Sequence, residues 1–95
     1  MFKKKRSINL SYERQGFIFF TCLTYRMQPL NIQKRIENLC VEVAGEDFQA
    51  LFALLTCEYK TAERIAADYF IPMRKLSDYR KNFYEEYDRK YINCR

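Results

Sequence analysis

Four consecutive cations, Lys3, Lys4, Lys5 and Arg6, stand behind a single aromatic, Phe2, near the start of the chain. Side chains at that charge density hold phosphates, each contact releasing counterions and giving an affinity that falls with salt. The same run also reads as a plain solvated tail. A second polar set, Arg74, Lys75, Ser77, Asp78, Arg80 and Lys81, falls within eight residues of the C-terminal third. Chemistry beyond charge and hydrogen bonding is scarce. The chain has no His, and it carries neither a glycine-rich phosphate loop nor a nucleophile beside a plausible base. No catalysis and no cofactor are therefore expected. The four cysteines, Cys22, Cys40, Cys57 and Cys94, include no C-x-x-C pair, which argues against a zinc site built by local spacing. The apolar neighbours of Cys22 and Cys40 make them small buried thiols, and the lack of a secretory signal points to the cytoplasm.

The elements that must position these groups follow from composition and periodicity. With 95 residues, 48% of them hydrophobic, and only two Gly and two Pro, the chain is expected to form one domain with its own core. So few turn residues argue against disorder and against a many-turned β fold. The expected class is all-α, a compact bundle of about five helices. The net charge of +5 is unevenly spread: residues 1–30 carry six cations and one anion, 31–60 three and five, and 61–95 eight and six. Residues 1–8 are thus read as a flexible basic arm.

The string from Ser11 to Arg26 is rich in aromatic and β-branched residues and has some strand character. Ser11 as a cap, a length of about fifteen residues and the absence of a hairpin partner favour a helix. Phe17, Phe20, Cys22 and Leu23 are expected to be buried. FIFF is too short to cross a membrane. A second helix is predicted over Asn31 to Ala44, with Ile32, Ile36, Leu39, Cys40 and Val43 on one face and Gly45 as its left-handed stop. Asp47 to Thr56 forms a third, apolar nearly all round and so placed at the centre. After Arg80 the last helix continues to about Ile92, with Phe83, Tyr84, Tyr87 and Tyr91 at helical spacing. That stripe reads either as core or as a stacking platform.

Thr61 to Arg80 carries a sharper pattern. Thr61 is a good cap, with Arg64 where a capping box has Glu or Gln. Ile65, Ala66 and Tyr69 share one face over two turns. Pro72 suits a first helical position and pushes Ile71 out of the helical region. Leu76, Tyr79 and Phe83 then continue the stripe, leaving Arg74, Lys75, Ser77, Asp78 and Lys81 on the other faces.

This stretch, about a fifth of the chain, resembles the helix-turn-helix of bacterial regulators and of the last DNA-binding region of sigma factors. Thr61, Ala66, Ile71 and Leu76 stand in register with that family's pattern. Phe70 departs from it, because the family prefers Gly at a turn position of positive φ. A side chain with a Cβ is strained there by roughly 1 to 2 kcal/mol, so a longer or differently shaped turn is expected. The resemblance implies duplex DNA as partner, with Arg74, Lys75, Ser77 and Asp78 toward the major groove and Arg80 and Lys81 nearer the backbone. It implies a small transcriptional regulator or accessory factor, and size and style suggest a phage or other mobile element. Two other readings stand beside it: an ordinary helical hairpin in a small bundle, and a protein–protein interaction module that sets the same charged helix against a protein partner without binding DNA. In each case the long last helix offers a surface for a second subunit or a protein partner, and no membrane association is expected.

Overall fold

In the computed structural model, which describes residues 4–57 and 59–93, the chain is all-α, with no strand among the described residues. Lys3 and Cys94 lie outside them. The helices are α1 (Tyr12–Leu23), α2 (Leu30–Ala44), α3 (Phe48–Thr56), α4 (Ala62–Asp68) and α5 (Met73–Tyr87). Four have nine residues or more and α4 has seven. Short 3-10 turns at Tyr25–Met27 and Gly45–Asp47 link α1 to α2 and α2 to α3, and a π-helical turn, Asp88–Ile92, extends α5. The Cα radius of gyration, 12.4 Å, is that of a single globular domain of this length.

Local chemistry sets the ends. Ser11 Oγ accepts the Arg14 N–H at 3.2 Å, capping α1. Gly45 closes α2 at φ +57°, ψ −121°, a conformation with positive φ that glycine adopts without steric strain. Asp47 is the cap of α3 rather than its first residue, the 3-10 turn having consumed it.

Two apolar clusters form the interior, and α3 belongs to both. The larger one joins Ile18 and Cys22 of α1, Ile36, Leu39 and Cys40 of α2, Leu51 and Leu55 of α3, and Phe83, Tyr84 and Tyr87 of α5. The smaller joins Ala50 of α3, Ile65 and Ala66 of α4, Ile71 of the connection and Leu76 of α5. The expected central place of α3 follows from this double membership.

The reading of α1 needs correction. Cys22 is fully buried, but Phe17 and Phe20 are 58% and 49% exposed. The buried face is set by Gln15, Ile18 and Cys22, at i, i+3 and i+7, which turns residues 17 and 20 outward. Gln15 is completely buried. Its amide nitrogen donates to the carbonyls of Lys5, Ile8 and Leu10 at 3.0, 3.2 and 3.1 Å, and its oxygen accepts the Lys5 N–H at 2.8 Å. The side chain of Ile8 enters the main core. The stretch expected to be a flexible arm is therefore fastened from Lys5 onward, because one buried amide satisfies its backbone.

Candidate functional site

α4 and α5 meet through a connection whose hydrogen bonds are fully specified. Thr61 Oγ accepts the Arg64 N–H at 3.1 Å and opens α4. Asp68, near its end, is held by Lys60 at 3.0 Å and Arg64 at 3.1 Å, and these cations keep its carboxyl below the usual range. At the end of α4 the Ile71 N–H donates to the Ala66 carbonyl at 2.9 Å, and the Phe70 N–H to that of Ala67 at 3.3 Å. Those bonds make a Schellman motif, with Ile71 and Ala66 supplying its apolar contact inside the smaller cluster.

The left-handed position of that motif is Phe70, at φ +57°. The turn is thus regular, neither longer nor reshaped as the strain of a Cβ had suggested. Tyr69, expected on the apolar face of α4, is its C-cap and is exposed. Pro72, expected as the first helical residue, is the N-cap of α5, with ψ 140°. Its carbonyl accepts the Leu76 N–H at 3.1 Å, while its ring supplies no acceptor for the first-turn N–H groups.

Leu76 is fully buried and orients α5. Arg74, Asp78 and Lys81, at i, i+4 and i+7, therefore share the face turned away from it. Arg74 and Asp78 are exposed, whereas Ser77, Arg80 and Lys81 are half-buried. Lys81 lies 3.9 Å from Glu85. Asn82 is also exposed beside this row; as an uncharged residue it gave no signal in the charge pattern, though its amide both donates and accepts.

Lys75 has a different setting. Its ammonium is 3.3 Å from Asp47 Oδ2 and 5.9 Å from the Tyr79 ring centroid, and the Tyr79 hydroxyl donates to the same oxygen at 2.7 Å. Tyr79's hydrogen bond, with help from Lys75, holds the Asp47 carboxyl below its ordinary range. Tyr79 is raised by that bond in turn, and Lys75 is raised by Tyr79 and Asp47 together.

The basic stretch near the start of the chain reaches the other end of α5. Lys4 and Arg6 are exposed, and a polar cleft runs between them, residues 7–11 and Arg14. The Asn9 N–H donates to Glu85 Oε2 at 3.2 Å, and Arg14 lies 3.4 Å from the buried Asp88. At 1.5 Å rise per residue, Glu85 is about 16 Å along α5 from Arg74. Lys81 lies against the same Glu85 oxygen that accepts the Asn9 N–H, so the first segment of the chain meets α5 beside Lys81 and well along the helix from Arg74. Compared with family models, with curated proteins and with solved structures, the chain finds no match.

Proposed function

We propose that the protein binds duplex DNA through a helix-turn-helix made of α4, the Tyr69–Pro72 connection and α5, as a small regulator or accessory factor. The observation that carries the reading is the connection itself. A cap at Thr61, a small residue, Ala66, packed with Ile71 and Leu76, and positive φ at the turn support the reading, while the turn residue itself, Phe70, departs from the family's Gly. α3 backs both helices through Ala50. Arg74 and Asp78 then stand at the outer face with Lys81 and Asn82 beside them, which is the mix of cation, acceptor and amide that reads base edges. Lys4 and Arg6 add phosphate contacts farther along the duplex. Selection from a random duplex pool tests this: a recovered consensus, bound more weakly as salt rises, supports it, and recovery of no preferred sequence contradicts it.

A second reading, a protein–protein interaction module, draws on the outer face of α1. Tyr12, Phe17 and Phe20 each expose about half of their surface there, and exposed aromatic patches of that kind mark protein contacts.

A further inference from the structure

The side chain of Phe70 serves nothing inside the molecule. It is 93% exposed, belongs to neither apolar cluster, and sits at φ +57°, where glycine is unstrained. Its backbone N–H closes the Schellman motif, a task any residue other than proline performs. Strain maintained at an exposed position calls for an explanation outside the folded chain. The neighbours are partly exposed apolar residues, Tyr69 before it and Met73 at the first position of α5. Arg74 follows directly.

We propose that Phe70, flanked by Met73, reads thymine in the duplex bound by α5. This rests on the DNA-binding reading above and adds one contact to it. A phenyl ring has no donor or acceptor, so it cannot use the hydrogen-bonding code of the base edges. The one apolar group presented by base edges in the major groove is the C5-methyl of thymine, and Phe is among the side chains that contact it. The ring stands four residues before Arg74 and two before Pro72, the cap of α5, so a helix entering the groove by its N-terminal turn carries Phe70 to the edge of the site. Arg74 then supplies polar readout and Phe70 apolar readout within one site.

The test replaces each thymine of the selected duplex by uracil, which removes the methyl and keeps the pairing. Wild-type protein loses about three- to tenfold in affinity at one or two of these positions. Phe70→Gly binds the thymine and uracil duplexes equally, with the affinity wild type has for uracil. It also melts higher, by about 4 °C or more for a domain of this size, because the turn gains its preferred residue. Phe70→Leu keeps an apolar side chain at the strained position and retains part of the thymine preference. Uracil at no position affecting wild type, or an equal loss in Phe70→Gly, overturns the proposal. If Arg74→Glu then still abolishes binding, the DNA-binding reading stands without it. If wild type binds no selected duplex, both fall together.

Discussion

Arg74 and Lys75 are adjacent cations in the first turn of α5, and their surroundings assign them different roles. Arg74 projects from the face opposite Leu76 and is exposed, so Arg74→Glu shifts the melting temperature by no more than about 2 to 4 °C, as surface changes of about 0.5 kcal/mol or less do. Lys75 is paired with Asp47, and Lys75→Glu sets two carboxylates against each other. Its melting temperature falls below that of Arg74→Glu, and the deficit shrinks at high salt because the repulsion is screened. Thermal melts of the two single variants at low and high salt check this. The cations themselves were legible in the sequence, since charge next to an apolar stripe needs only the helical period. The Asp47 contact was not, because it joins the cap of α3 to α5 and exists only after both have packed. The thiols divide along the same line. Cys22 and Cys40 are buried as their apolar neighbours implied, with burial raising both and pushing Cys40 up to about 12.

At the scale of elements, periodicity located α2 and the core face of α5 because a single stripe of apolar residues leaves one choice of buried side. It failed on α1, where FIFF is apolar in every direction and the choice falls to Gln15. A buried glutamine has no signature in composition; its place depends on three carbonyls in the preceding segment. Removing residues 1–4 is expected to leave stability nearly unchanged. Removing residues 1–8 also takes Ile8 from the core and Lys5 from Gln15, and lowers stability by about 3 kcal/mol or more. Denaturant titrations of the two truncated proteins separate these cases, and equal stability contradicts the anchoring role of Gln15.

The link between α3 and α5 also carries a pH dependence. Asp47 is depressed below its ordinary 3.8, so the stability it adds is complete above that value and disappears as pH falls through the lower, folded one. Tyr79 is raised above its ordinary 10.0, so its contribution is complete below 10.0 and disappears as pH rises through the higher, folded one. The difference in melting temperature between wild type and Tyr79→Phe is therefore widest between about pH 4 and 10 and narrows on both sides. A difference that stays constant from pH 3 to 11 contradicts the Asp47 contact as its source.

For the whole molecule, the central relation is between α5 and the elements that hold it. α5 is held along its length, by the smaller cluster at Leu76 and the larger one from Phe83 to Tyr87. No helix among the described residues is long and apolar enough to cross a membrane. The all-α class followed directly from composition and period. The Schellman turn was half legible: Ile71 and Pro72 marked a helix end, but the Cβ of Phe70 argued against the geometry that the packing of Ile71 in fact enforces.

Duplex binding by the outer face of α5 is tested most directly by the affinity of the selected duplex for wild type and for Arg74→Glu over a range of salt concentrations. Wild type should bind with an affinity that falls steeply and linearly on logarithmic axes, by close to one unit of slope for each phosphate neutralised. Arg74→Glu should lose sequence preference at every salt concentration while melting within about 4 °C of wild type. Equal affinity and equal preference in the two proteins would contradict the account.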